Sequence, residues 1–264
     1  MLDSLTINEL TGKFIVGILF FIRVLALMAS GPFFDNTTLL PRVKVYLSIL
    51  IALMMTSAFW RDQPPIDFHL LNLVLLVLKE VIVGLIIGFS ASIVFAAARF
   101  AGGLIDFDMG YQTSLMFNIE STPTLVGELK SLVVLIIFLV IDGHHYLIEG
   151  IFASAKAVPI GSMVISESTI KLLVRLTTSV LIIGVKMAAP VMVALFLTNL
   201  SLSLLARVAP QTNVFILSFQ LKVGIGLLIL MAAVPIFIMI TKYALLTMED
   251  EITKVLLSLY PGNV

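Results

Sequence analysis

The sequence predicts an all-α integral membrane protein of about six long, partly broken helical segments. Three observations predict it. Of the 264 residues, 60% are hydrophobic and 12% charged, about half the charge of an ordinary soluble domain. Mean hydropathy is +1.15, which leaves too little polar sequence to cover a soluble globule. Uninterrupted apolar runs occur at 81–98, 187–206 and 223–241, close to the roughly 20 residues a spanning helix needs. Sixteen basic residues balance sixteen acidic ones, so net charge points to neither nucleic acid nor an anionic surface. Absence of cysteine removes disulfides, Cys-ligated zinc and thiol catalysis.

The first segment, near 12–30, follows MLDSLTINELTGK, which is not basic. Arg23 also interrupts its apolar core, so a cleaved signal peptide is not expected. GPFFDNTTLLP separates it from the second segment, near 39–60, and RDQPPIDF ends that one. The third, near 68–100, carries Lys79 and Glu80 inside it. After the stretch from Ala101 to Gly127 comes the fourth, near 128–156, where Asp142 ends an apolar run that begins at Ser131. VPIGS leads to the fifth, near 168–208, and the sixth covers about 213–247. No internal repeat appears, so residues 1–264 read as one membrane-embedded domain. Its 248–264 tail places Ile252, Val255, Leu256 and Leu259 at i, i+3, i+4, i+7, with Glu249, Asp250 and Glu251 in the first turn. That spacing predicts a short amphipathic helix docking on a partner or the membrane surface. Lys and Arg are spread through almost every connection, so orientation is not readable.

Arg23, Lys79, Glu80, Arg99, Lys186, Arg207 and Lys222 place a charge in nearly every segment. At the centre of a simple spanning helix each costs about 2.5–3.5 kcal/mol. Such a set implies either a polar cavity or burial against other proteins. Some of these charges mark helix ends and snorkel to an interface. Lys79 and Glu80 are neighbours and point about 100° apart on a helix. Each needs its own partner elsewhere; a cation such as Arg23 suits Glu80.

Catalytic constellations are missing. IDGHHYLIEG offers Asp142, His144, His145 and Glu149, with His145 and Glu149 at i, i+4. Only one other histidine, His69, exists, so a turn and wet helix start is preferred over a metal site. No GxSxG elbow, Walker motif, dinucleotide fingerprint or strong pair of intramembrane aspartates is present. Neither an enzyme nor a cofactor is expected.

FAGGLIDFDMGYQTSLMFNIESTPTLVGELK, 100–130, is different. Its glycines are expected to interrupt the preceding helix. It nevertheless carries Met109, Leu115, Met116 and Phe117, next to Gly110. Irregular backbone at membrane depth is tolerated where protein buries it or where it lines a cavity. Apolar constrictions can gate by excluding water. Ordinary packing of these side chains back onto the helices is the plainer alternative.

ARVAPQTNVFILSFQLK, 206–222, sets Arg207, Pro210, Gln211, Asn213 and Lys222 between two apolar runs. Pro210 stops one helix and Asn213 can cap the next. The polar backbone of this reversal needs neighbours to satisfy it.

Over essentially its whole length the chain resembles the FliR/SctT family of flagellar and injectisome export-gate proteins. The resemblance rests on Arg23, Gly31-Pro32, Pro41-Arg42-Val43, FAGGLIDFDMGY at 100–111, FLVIDGHHYLI at 138–148, and AAPVMVALFLTNLSLSLLARVAPQTNVF at 188–215, with Asn199 and Arg207 inside the last, then Lys222. Leu202-Ser203-Leu204-Leu205, Thr212 and Gln220 depart from the family's usual residues. DGHH and LKVGIGL look more flagellar than injectisome-like.

The resemblance implies a type III protein-export role in the bacterial inner membrane, within the flagellar basal body. It implies assembly with FliP and FliQ into a helical gate, FlhB and FlhA docking nearby, and unfolded flagellar subunits as substrates. Helices would form hairpins, and partner subunits would satisfy Arg23, Lys79 and Glu80. The 101–127 stretch would contribute a plug through Met109, Gly110, Leu115, Met116 and Phe117. Asn199, Arg207, Pro210, Gln211, Asn213 and Lys222 would serve assembly. A small-solute secondary transporter also uses broken helices and intramembrane charge; Glu80 is a candidate coupling residue for it, but repeat symmetry is missing. A structural scaffold would need no plug.

Overall fold

The computed structural model describes residues 2–31, 40–66, 69–111, 124–209, 211 and 214–259. Among them the secondary structure is helical: α1 (Leu2–Ser30), α2 (Pro41–Phe59), α3 (Leu70–Met109), α4 (Leu125–Val140), α5 (Gly143–Ala157), α6 (Glu167–Val208), α7 (Val214–Ala232), α8 (Val234–Leu246) and α9 (Met248–Ser258). A short 3-10 turn, Trp60–Asp62, extends α2.

The differences from the six expected segments have local causes. The fourth splits into α4 and α5 at Asp142, whose φ of 58° takes the backbone out of the helical region. The sixth splits at Ala233, and Pro235, lacking an N–H, sits in the first turn of α8. The third does not stop at its glycines: α3 runs through Gly102 and Gly103 to Met109 and ends at Gly110, whose φ is 88°. At Gly102 the reason is packing. A Cβ on Gly102 would fall on the backbone of Gly127, so the pair lets α3 and α4 touch main chain to main chain. The expected loop 101–127 is therefore helix over Ala101–Met109 and again from Leu125.

The helices form two compact units. The first contains residues 1–92, 142–176 and 247–264. Here α1 and α2 make an antiparallel hairpin, with Gly17 facing Thr56 and Lys13 beside Trp60. The first half of α3 lies against α1. A Cβ on Gly84 would collide with the Arg23 carbonyl and Ala26, and one on Gly88 with Ser30 and the Leu27 carbonyl. Glycines four apart thus let two helix backbones meet, as small residues do in membrane helix pairs. In the same unit α9 packs on α5, burying Ile252, Val255, Leu256 and Leu259. The amphipathic face of the tail is covered by its own chain, not by the partner or membrane surface expected of it.

The second unit contains residues 93–141 and 177–246. Phe95 and Phe138 meet edge to face at 5.8 Å, joining α3 to α4. Phe100 lies against Gly184 of α6, and Met109 lies against Gly226 of α7. Pro190 sits inside α6, removing one helical hydrogen bond there.

Among the described residues four helices are long and apolar enough to cross a membrane: Glu9–Ser30, Pro41–Asp62, Leu70–Met109 and Glu167–Val208. The bent pair that begins with α7 raises the number to five. At 40 and 42 residues, α3 and α6 measure about 60 and 63 Å, against a hydrocarbon core of roughly 30 Å.

Gly84→Val should push α3 off α1, because the added carbons have no room beside the Arg23 carbonyl. Overpacking of this kind costs roughly 1–3 kcal/mol. The check is thermal unfolding in detergent, where a fall of several degrees is expected and an unchanged Tm would show that the helices stand further apart.

Candidate functional site

In the first unit the site is built from two apolar helices that each carry charge where lipid would reject it. Arg23 and Glu80 are both 1% exposed. The Arg23 Nε donates to Glu80 Oε2 at 2.5 Å. Its other donors are spent on α5 and the residue after it: one terminal nitrogen donates to the Ser154 carbonyl at 2.9 Å and its hydroxyl at 3.1 Å, the other to the Val158 carbonyl at 2.9 Å. The guanidinium also lies 5.7 Å from the Phe20 ring. Glu80 Oε1 accepts from the Gly161 N–H at 3.3 Å, while Lys79 Nζ donates to the Gly161 carbonyl at 2.7 Å. Side chains pointing well apart from α3 thus grip both faces of one peptide-rich turn. Gly161 has φ +75°, and Leu76 fills the space where its Cβ would sit, so the turn requires glycine. Gln63 adds a further hold, accepting from the Ile160 N–H at 2.8 Å. The expectation that other subunits would satisfy Arg23, Lys79 and Glu80 is overturned: the chain satisfies them itself. The reason is that residues 158–161 supply backbone acceptors and a donor that sequence spacing does not reveal.

The second unit holds the ends of the 112–123 stretch. Asp106, 1% exposed, accepts from the Val126 N–H, with its two oxygens at 3.1 and 3.3 Å. The start of α4 lacks a side-chain cap from Thr124, so Asp106 of α3 supplies the acceptor an orphan helix N–H needs. Met109 is fully buried, and Tyr111 meets Phe219 of α7 edge to face at 6.2 Å. One turn beyond Val126, buried Lys130 donates to the Met187 carbonyl at 3.0 Å and lies 4.6 Å from the Phe237 ring. No carboxylate pairs with it among the described residues.

Of the other residues singled out from sequence, Leu115, Met116, Phe117, Pro210 and Asn213 lie outside the described residues. Asn199 and Lys222 are half-buried, while Arg207 and Gln211 are exposed, so these four do not gather into one buried cluster. Asp142, His144 and His145 bring one ligand atom each within 4.8 Å of one another, and Glu149 is not among them. Asp142 stands at the start of α5 in the left-handed region and makes no side-chain cap. Sequence reasoning missed Asp106, Lys130 and the glycine contacts. Gly84 and Gly88 carried a usable signal in their spacing; Asp106 and Lys130 carried none.

A polytopic helical membrane protein with buried polar ties is the class this architecture defines. Residues 14–248 match the family described as Bacterial export proteins, family 1, and the chain belongs to that family. It is 30% identical over 218 residues to the Flagellar biosynthetic protein FliR of Pectobacterium carotovorum subsp. carotovorum, covering 82% of this chain and 83% of that one. To the Flagellar biosynthetic protein FliR of Bacillus subtilis (strain 168) it is 29% identical over 251 residues, 92% of this chain and 95% of the relative. The Yop proteins translocation protein T of Yersinia pestis is 32% identical over 173 residues, 64% of this chain and 66% of the relative.

Two outcomes check the site. Glu80→Ala leaves Arg23 buried without a counter-charge, a change worth about 3–5 kcal/mol; the Arg23→Met/Glu80→Met pair should recover much of the loss in detergent unfolding. Equal Tm for wild type and Glu80→Ala would place the carboxylate in solvent. Asp106→Leu removes the cap of α4, typically about 1 kcal/mol, and should speed hydrogen exchange at the Val126 amide several-fold while Asp106→Asn changes it less. Matching exchange rates in both variants would assign the α4 start to packing alone.

Proposed function

We propose that this chain is a non-catalytic component of the flagellar type III export gate, assembling with FliP-like and FliQ-like subunits in the bacterial inner membrane at the basal body. FlhB-like and FlhA-like proteins dock nearby, and unfolded flagellar subunits pass through the assembled channel. The observation that carries this reading is the length of α3 and α6. Both are about twice as long as the hydrocarbon core is thick, yet exposed apolar side chains run along α6 from Ile170 to Val208 and stand on α3 from Leu70 to Leu85 and again at Phe100 and Phe107. Apolar surface that lipid cannot reach in full is what neighbouring protein subunits cover. Family membership supports the export role, and the fuller coverage by flagellar relatives than by the injectisome relative favours the flagellar assignment. Carrier function is disfavoured at Glu80, a candidate coupling residue, because it is locked against Arg23 at 1% exposure.

Within that gate, Met109, Gly110, Leu115, Met116 and Phe117 form the closure. Met109 is a fully buried anchor, and the left-handed Gly110 turns the chain away from α3. Adaptable apolar side chains beyond it close a channel by excluding water.

The test is co-expression of the full chain with its partner subunits. A stable complex should purify, and Met116→Gly/Phe117→Gly should leave it assembled while raising ion permeability of the membrane. A stable chain that never co-purifies with small membrane partners would remove the gate reading. A complex that assembles and stays tight in the double variant would move closure to another subunit.

A further inference from the structure

We propose that the groove between α1 and α2 holds one acyl chain of an anionic phospholipid, with the phosphate of that lipid between Lys13 and Arg61. The groove has a volume of about 470 Å³. Leu10, Phe14, Ile18 and Phe21 form its α1 wall, and Ile49 and Leu53 stand on α2. From Lys13 to Phe21 the stripe covers eight residue steps, or about 12 Å, which fits within one leaflet of a roughly 30 Å hydrocarbon core, and Leu10 stands one turn beyond Lys13. Its floor is deep because Gly17 has no side chain there; a Cβ would come within 3.3 Å of the Thr56 hydroxyl. That hydroxyl is turned away, donating to the Ala52 carbonyl at 2.7 Å, so the groove presents almost only hydrocarbon.

One end is different. Lys13 Nζ lies 5.8 Å from the Trp60 ring centroid and the Arg61 guanidinium 5.7 Å from the same centroid. Two cations sharing one indole at the mouth of an apolar groove are the combination found at a lipid headgroup level, where aromatic and basic side chains anchor helices and basic pockets between helices take anionic lipid. Two acids are close in sequence: Glu9 lies one turn before Lys13 and Asp62 follows Arg61. Neither is ion-paired with Lys13 or Arg61 among the described residues. Both cations are thus open to a phosphate. The two cations at that end match the phosphate of an anionic lipid, whereas an apolar helix would leave them without an anion.

The experiment uses the full chain in nanodiscs containing phosphatidylglycerol or phosphatidylcholine with a photoactivatable group on one acyl chain. Cross-links should map to residues 10–21 and 49–56, several-fold stronger with phosphatidylglycerol. Lys13→Gln/Arg61→Gln should bring the two lipids level, since both side chains are exposed and their loss leaves the helices packed. Gly17→Leu, with unfolding temperature as the control for folding, should remove groove labelling for both lipids. Equal labelling by the two lipids in the wild type, or labelling indifferent to Lys13 and Arg61, overturns the headgroup assignment. Cross-links from the same positions to a partner subunit in native membranes, in place of lipid, overturn the occupant.

Discussion

The buried pair of Arg23 and Glu80 is the constraint on which the first unit depends. A guanidinium has five donors in a fixed plane and cannot lose its charge, so burying it obliges the surroundings to supply acceptors in that plane. They come from three places: a carboxylate on α3, a carbonyl and hydroxyl on α5, and the carbonyl of Val158. No two helices alone could provide them. The ion pair therefore sets the rotation of α1 and α3 about their axes, and it holds the end of α5 against both. The glycines follow from the same demand. With Arg23 reaching sideways to Glu80, the helix backbones must meet one turn further on, where Gly84 and Gly88 leave no Cβ in the way.

Whether such a pair adds net stability depends on how fully its polar atoms are matched, because desolvating two charges costs several kcal/mol each. Here both carboxylate oxygens and every nitrogen of the guanidinium have a partner. The second unit solves a similar problem without pairing charges. Lys130 rests on a carbonyl and an aromatic face, and Asp106 spends its carboxylate on a helix N-terminus. An acid that caps backbone amides is restrained by a helix end rather than by a cation. Its role is positional: it fixes where α4 begins relative to the last turns of α3.

This contrast explains which parts were legible in the sequence. Composition alone carried the fold class, and the spacing of Ile252, Val255, Leu256 and Leu259 carried the tail helix. Arg23 and Glu80 stood out because charge inside an apolar run is expensive, and cost is readable without coordinates. Their acceptors were not readable, since backbone carbonyls have no letter. Glycine was read one way when it had two meanings. Gly102 and Gly103 suggested a break, but in a helix packed against another helix the missing Cβ is a place of contact. Gly84 and Gly88, one helical turn apart, carried that message in their spacing. Asp106 did not stand out, because nothing in its neighbourhood announces that the partner is an amide 20 residues later.

The two longest helices set the remaining problem. An apolar side chain is stable in lipid or against protein, and α6 exposes such side chains over nearly its whole length, α3 toward both of its ends. If either stood upright, about 30 Å of it would leave the hydrocarbon. Tilting does not absorb this, because membrane helices tilt by about 20° on average and 40° at the extreme, and a 60 Å helix at 40° still rises about 46 Å. Contacts within the chain do not absorb it either, since Leu75, Leu85, Val193 and Leu204 are exposed in the folded protein. In the export gate proposed above, the surface of neighbouring subunits would cover these side chains along the helices rather than at their ends.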